Sequence, residues 1–280
     1  MTRILAISPH LDDAVLSAGG SLFDLQSRGH DVTVVTMFAG LGLPPYSKAA
    51  RFLHRVWKLP DDPVSIRRAE DGKALEILGV QQVHADFLDA IYRRNADDSW
   101  LLGDEFQPAD HPQDDEPDLA KGLEQSVADY VEQVRPNLML TCAAIGNHID
   151  HRRTRNAVLA VAIRTGIDVE LWEDMPYGAL TQNQPDLPAE VSQGVPVPRL
   201  PSIAAWEAKY RAISCYESQL TMLGAGDKDL RPTFETHAFT RGTEYGCVGR
   251  AELFWNVAVK HAVHGNEDRS RSYVSKGITQ

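Results

Sequence analysis

Histidine and aspartate meet in two short groups, Pro9-His10-Leu11-Asp12-Asp13 and His148-Ile149-Asp150-His151. Adjacent carboxylates such as Asp12 and Asp13 repel each other unless positive charge or N–H donors lie against them. A helix start supplies donors, with one aspartate at the N-cap, and a divalent metal ion supplies charge. The two can coexist at one turn. Capping accounts for one aspartate and part of the second, but not for His10 or the proline before it. Catalytic zinc takes three protein ligands, commonly histidine and carboxylate, and keeps an open position for water. His10, Asp13 and His151 form such a set. Asp12 is then the general base toward a water whose pKa the ion has lowered to near neutrality. Iron or cobalt suits the same donors in place of zinc.

Both groups need a scaffold that brings them to one place. The apolar β-type run "RILAIS" (3–8) precedes the first, and "NLMLTCAAI" (137–145) precedes the second. Helical patterns follow: "DAVLSAGGSLFDLQSRG", with a cap at Gly29, and "HRRTRNAVLAVAIRTG". "DVTVVTMF" (31–38), "VHADFLD" (83–89) and "DVELWED" (168–174) read as further strands or strand ends, with helices over 65–79 and 118–134. Strands alternating with helices imply right-handed crossovers and a mostly parallel sheet. The expected architecture is a Rossmann-like α/β fold with flanking helices, in a single domain over residues 1–280. Ligands bind such sheets at the carboxyl ends of the strands, where both groups fall. Gly19 and Gly20 come too late for a dinucleotide phosphate loop, and close packing of helix on sheet is expected of them.

Composition narrows the partners. A net charge of −11 and a small densest basic cluster, Arg152, Arg153 and Arg155, speak against nucleic acid or an anionic membrane. Cys142, Cys215 and Cys247 are widely spaced and odd in number, which suits reduced thiols in a cytoplasm. "ILAI" is too short for a signal peptide or a membrane span, so no stable membrane insertion is expected. The acidic stretch 104–118 reads as a solvated loop. Residues 181–202, with five prolines, read as a surface run before a last long helix over 204–220, and the tail beyond about Gly265 as frayed. Residues 40–57 follow the second strand at the same sheet edge and are expected to overhang the metal. Their Tyr46 and Trp57 offer flat aromatic surface to a substrate at that edge.

The two groups together resemble the paired signature of the PIG-L (LmbE-like) zinc-dependent N-acetylglucosaminyl deacetylases. "FAGLGLPPYS", "RRAED", "FLDAIYR", "LTCAAIGNHIDH" and "LWEDMPY" are most similar to the deacetylases of teicoplanin-type glycopeptide antibiotic biosynthesis, over about residues 3–180. The resemblance implies a Rossmann-like fold and hydrolysis of the acetamide of an N-acetyl glycoside or glycosylated natural product. It implies His10, Asp13 and His151 as ligands and Asp12 as base. His148 would stabilise the tetrahedral oxyanion or protonate the leaving amine, with Asp150 orienting it. Arg67 matches a sugar-contacting arginine, and Asp89 is implied for a sugar hydroxyl. Where relatives often follow the aspartate pair with glutamate, this chain has Ala14. Two rivals stand beside this reading. A 2-His-1-carboxylate iron oxygenase is mimicked by His10-Leu11-Asp12 with a distant histidine, though such triads normally sit on all-β scaffolds. A non-catalytic sugar-binding protein has no use for an unliganded Asp12 beside a metal.

Overall fold

Strand β1 (Arg3–Ser8) is buried at five of its six positions. In the computed structural model it lies inside a seven-stranded sheet, as an uninterrupted apolar run should. The structure describes residues 1–59, 62–102, 116–180, 185–188, 191–224 and 229–259. The other strands are β2 (Asp31–Thr36), β3 (Gln81–His84), β4 (Leu138–Cys142), β5 (Asp168–Trp172), β6 (Val191–Arg199) and β7 (Glu252–Val259). Their order is β3-β2-β1-β4-β5-β7-β6, with the first five parallel and β7 antiparallel to both of its neighbours, β5 and β6. Ile4 pairs with Leu138 and Ile7 with Thr141, so β1 and β4 are neighbours that end side by side. Both histidine-aspartate groups therefore leave the sheet at one edge.

The helices are α1 (Asp13–Ser27), α2 (Lys48–Trp57), α3 (Pro63–Leu78), α4 (Pro117–Val134), α5 (Ile149–Thr165), α6 (Tyr177–Leu180), α7 (Ile203–Ile213), α8 (Glu217–Leu223) and α9 (Arg231–Glu244). Alternation along β1 divides the core. Ile4 and Ala6 join one apolar layer with residues of α1, α3 and α7, while Leu5 and Ile7 join another with residues of α4 and α5. A third cluster, holding Leu11, Trp57, Ile91 and Ile149, packs beneath the loops at the carboxyl edge. Among the described residues no helix is long and apolar enough to cross a membrane, and all three cysteines are free thiols.

Three segments differ from their sequence expectations. Within 181–202, residues 191–199 form β6, an edge strand paired to β7 with an irregularity between Gln193 and Pro196. Edge strands tolerate proline because one side of their backbone has no ladder to complete. The long helix expected over 204–220 is two helices, α7 and α8. The Tyr216 hydroxyl at the break donates to Asp71 (2.7 Å), and Ser218 donates to Glu70 through its amide (2.9 Å) and its hydroxyl (2.6 Å), which turns the chain onto α3. In the acidic stretch, Glu116 is not solvated but paired with Arg93 and Arg153, and Pro117 opens α4. Residues 104–115, 181–184 and the tail beyond 265 lie outside the described residues.

Gly19 and Gly20 allow close approach to α7 and its lead-in, and Gly20 also to Glu252 of the sheet strand β7. A Cβ on Gly20 would lie 2.9 Å from Pro201, and one on Gly19 3.2 Å from Lys209. Glu252 of β7 accepts from the amides of Gly20 (2.9 Å) and Ser21 (2.8 Å) and pairs with Lys209 at 2.6 Å, both side chains buried. Removing one partner of such a pair leaves an uncompensated buried charge, which costs about 3–5 kcal/mol. Glu252→Ala is expected to lose stability of that order in urea denaturation, and a Glu252→Leu, Lys209→Met double substitution to lose less. A loss under about 1 kcal/mol for Glu252→Ala would show that this junction does not fasten α7 to the sheet.

Candidate metal centre

Ser8 ends β1, and its hydroxyl organises the turn. It donates to the His10 carbonyl (2.9 Å) and accepts from the amide of Ala14 (3.1 Å), a free donor in the first turn of α1. Asp12 occupies the N-cap position yet makes no capping bond, and its backbone stands at φ 146°, a region that favours glycine. Holding a non-glycine residue in such a region costs about 1–3 kcal/mol. Asp13 turns back instead, and its Oδ2 accepts from the His10 amide (2.9 Å). Capping therefore belongs to Ser8, and both aspartates are left for other work.

The turn after β4 carries positive φ at Ala144, Gly146 and Asn147. A side chain at Gly146 would meet the Tyr177 ring at 2.6 Å, so glycine is required there. His148 caps α5, its Nδ1 accepting from the Asp150 amide at 3.2 Å. His151 follows on the first turn, buried.

From these two turns, His10 Nδ1 (3.3 Å) and His151 Nε2 (3.2 Å) converge on one oxygen, Asp13 Oδ2. The second nitrogen of each ring meets a different carboxylate: His10 Nε2 lies 3.1 Å from Asp150, and His151 Nδ1 2.7 Å from Asp174. Imidazoles that bind metals are held in this way, one nitrogen on the ion and the other on an acceptor that fixes the tautomer. Asp174 is itself held by the Ile145 amide (2.9 Å). His10, His148 and His151 also bring nitrogens within 4.8 Å of one another, which makes a second possible donor set. Cys142, His151 and Asp174 group similarly, but the Cys142 thiol donates to the His151 carbonyl (3.3 Å) and burial raises its pKa.

The surrounding cavity, about 140 Å³, is lined by Asp12, Asp13 and Asp89, with Arg67 its one permanent cation among the described residues. That excess of negative charge and the converging nitrogens fit a divalent ion. Burial and the Asp13 charge push Asp12 up to about 7, against the pull of Arg67 and His10. Burial works against ionisation of Asp13 too, but His151 and His10 outweigh it and hold that carboxyl well below its usual range. His151 is raised to about 9, since Asp13 and Asp174 outweigh burial. His148 falls to about 3, through burial and then the neighbouring His10. Two adjacent aspartates thus differ sharply in proton affinity.

The other candidates fall on both sides of the cavity wall. Arg67 lines it, 3.6 Å from Asp12 and 4.8 Å above the Trp57 ring. Asp89 lines it 3.8 Å from His10, and Trp57 and Leu53 form part of its wall. Tyr46 does not line it: its hydroxyl donates to the Gly42 carbonyl and its ring packs on His54. Of residues 40–57, only Leu53 and Trp57 reach the cavity. The Asp150 carboxylate holds His10, the Ala90 amide (2.9 Å) and Arg93 (2.7 Å), while only its backbone amide reaches His148. The side chain thus fixes His10 rather than His148.

Asp174, Arg93, Tyr177 and Gln219 of α8 were not singled out by sequence reasoning. Asp174 could have been found, because it lies two residues beyond the end of β5, beside β4 at the ligand-binding edge. Gln219 carries no such signal, since the break that turns α8 over the cavity is a tertiary effect. Losing an acceptor behind a metal-binding histidine typically weakens metal affinity by about 10–100-fold. Asp174→Ala is expected to do so, measured by competition with a chelating dye while circular dichroism confirms the fold. Unchanged affinity in a folded variant would show that His151 needs no orienting partner.

Residues 5–162 match the family model PIG-L, GlcNAc-PI de-N-acetylase. The chain is similar to the zinc-inhibited form of teicoplanin deacetylase Orf2, with a TM-score of 0.86 and 37% identity over 92% of this chain and 98% of that one. It is also similar to the A40926 pseudoaglycone deacetylase Dbv21, with a TM-score of 0.81 and 38% identity over 93% and 99% of the two chains. A 1D-myo-inositol 2-acetamido-2-deoxy-alpha-D-glucopyranoside deacetylase from Corynebacterium diphtheriae is 30% identical over 253 residues, 82% of this chain and 80% of that protein. With more than half its length matched by the family model and this relative covered over most of its own length, the chain belongs to the PIG-L family.

Proposed function

We propose that this chain is a metal-dependent hydrolase that removes the acetyl group from an N-acetylglucosamine-type amino sugar, with residues 1–280 acting as one domain. The observation that carries the reading is the convergence of His10 and His151 on Asp13, beside an Asp12 that caps nothing and stands in strained backbone. Its relatives' names supply the substrate class. His10, Asp13 and His151 would hold the ion, and zinc suits them, as do iron and cobalt. When bound, such an ion polarises a carbonyl and lowers the pKa of water.

The chain's own residues supply the rest. Asp12 takes a proton from the attacking water, the role left to a buried carboxyl that is neither a cap nor a proposed ligand. It is then placed to hand it to the departing amine. His148 accepts at Nδ1 from Asp150, which leaves the ring proton on Nε2. A pKa of about 3 keeps the ring neutral at pH 7, so His148 gives a hydrogen bond to the developing oxyanion rather than a proton to the amine. Arg67 and Asp89 offer a donor and an acceptor to sugar hydroxyls from the cavity wall. The three free thiols fit a reducing compartment, and the cytoplasm is the location proposed.

The second donor set, with His148 in place of Asp13, is tested together with the first. Purified protein is expected to hold about one divalent ion per chain. Asp13→Ala is expected to lose the ion and acetate release together. Asp12→Asn should keep ion and fold but lose turnover by about 10²–10⁴-fold, the usual contribution of a positioned base. Metal analysis paired with mass-spectrometric acetate release reads both. Parental turnover in Asp12→Asn would remove the base assignment. Metal retained in Asp13→Ala but lost in His148→Ala would move the ligand set to the three histidines.

A further inference from the structure

The part of the metal-site cavity supplied by helices holds three buried polar atoms that no described residue pairs. They are Nε1 of Trp57 on α2, Nε of Arg67 on α3 and Oε1 of Gln219 on α8. Buried polar groups are nearly always hydrogen-bonded, because an unmade bond leaves the desolvation of the group uncompensated. Three such atoms on the residues of one cavity point to a partner that enters from outside the chain. Two of them are N–H donors and the third is a carbonyl acceptor. Arg67 is already proposed to meet the sugar, whereas Gln219 has no part in the chemistry above.

Neighbours decide which end of the Gln219 amide faces where. Glu70 accepts from the Ser218 amide on Oε1 (2.9 Å) and from the Ser218 hydroxyl on Oε2 (2.6 Å). A carboxylate only accepts, so the hydroxyl proton of Ser218 is committed to Glu70. The Ser218 oxygen is then an acceptor, and Gln219 Nε2 donates to it at 2.8 Å. With the nitrogen held there, Oε1 is the end left for the cavity. Gln219 is only 1% exposed, and its backbone amide donates to the Tyr216 carbonyl at 2.8 Å. The Tyr216 hydroxyl is in turn fastened to Asp71. Glu70 and Asp71 lie one turn beyond Arg67 on α3, on the same side of that helix. One helix thus carries a cation of the cavity and also orients the amide that α8 brings to it.

The Gln219 oxygen needs a donor from the substrate, and the N–H groups of Trp57 and Arg67 need an acceptor. A hydroxyl is both, whereas an acetamide N–H only donates and its carbonyl only accepts. We propose that Gln219 is a specificity-determining residue that accepts a hydrogen bond from a hydroxyl of the sugar, with Ser218 and Glu70 as the positioning residues that present its oxygen. The proposal rests on the deacetylase reading above and deepens it, since the site then checks the hydroxyl pattern of the sugar as well as its acetamide. A buried acceptor with nothing opposite it penalises any sugar that lacks the hydroxyl. Discrimination therefore comes from rejecting the wrong sugar, not only from holding the right one.

The test uses the metal-loaded full chain with methyl N-acetylglucosaminide and its three monodeoxy analogues, each lacking one free hydroxyl. Gln219→Met keeps the length of the side chain and removes its acceptor. It is expected to lose about 3–10-fold in kcat/KM on the full sugar and on two analogues, the net value of one neutral hydrogen bond. On the third analogue, which lacks the hydroxyl that the amide reads, it should lose nothing. Ser218→Ala frees the amide to turn, and should narrow the parent's discrimination against that same analogue. It also carries the test if Gln219→Met does not fold, as circular dichroism would show. Equal loss on all four sugars is what a structural role gives, and that result, or no loss on any, would overturn the proposal. Unaltered discrimination in Ser218→Ala would overturn the positioning roles. Acetate release from none of the four by the parent would overturn the deacetylase reading instead. The sugars are then titrated calorimetrically: weakened binding of three with one spared in Gln219→Met supports the amide contact, and equal affinities in parent and variant overturn it.

Discussion

Two imidazoles from different strand ends reach one oxygen of Asp13, and much of the surrounding architecture is what that convergence requires. β1 and β4 must be adjacent, parallel and level, which their register provides from Ile4–Leu138 to Ile7–Thr141. The helices that follow must start at once, so that Asp13 and His151 fall on first turns. Without a bound cation the same atoms form ion pairs. Asp13 is held ionised and His151 is raised to about 9, so an entering ion must displace a proton from that ring. Metal retention by this pair should therefore weaken as the medium is acidified.

Behind the convergence runs a chain of buried charge, from His10 to Asp150, Arg93, Glu116 and Arg153. Buried ion pairs rarely give net stability, because desolvation offsets their attraction. Their effect here is orientation. Arg93 also donates to the Leu88 carbonyl (2.8 Å) and lies 5.1 Å from the Phe38 ring, so it binds the loop after β3 to the starts of α4 and α5. The Ala90 amide completes the hold on Asp150. Asp12 stands apart from this network. Its strained backbone and raised pKa are the local penalties of keeping a carboxyl beside Asp13 without tying it down.

The strands, the parallel order and the two histidine-aspartate turns were legible because each rests on short-range signals. An apolar run followed by a helical period places a turn at the carboxyl edge, and two such turns imply one site. What stayed hidden depends on contacts between distant segments. β6 carries Pro196 and Pro198, which suppress any strand pattern, and becomes a strand only because β7 offers it an edge. The break between α7 and α8 comes from Asp71 and Glu70 on α3, far away in sequence. The resemblance implied Asp150 as the orienting partner of His148, yet its carboxylate faces His10, which is 140 residues away. Tyr46 precedes α2 and so misses the face that carries Leu53 and Trp57 to the cavity.

The division of labour that results is a physical one. The atoms suited to chemistry sit on turns fixed by the central strands, where a shift would break register with both neighbours. The cavity wall beyond those turns belongs in part to α2 and α8, which lie outside the sheet, α8 held to α3 through Glu70. One sheet edge thus fixes both histidine-aspartate turns, while helices outside the sheet supply the rest of the cavity wall. Chemistry on such a fold is set by the site and not by the scaffold, which many unrelated sites share.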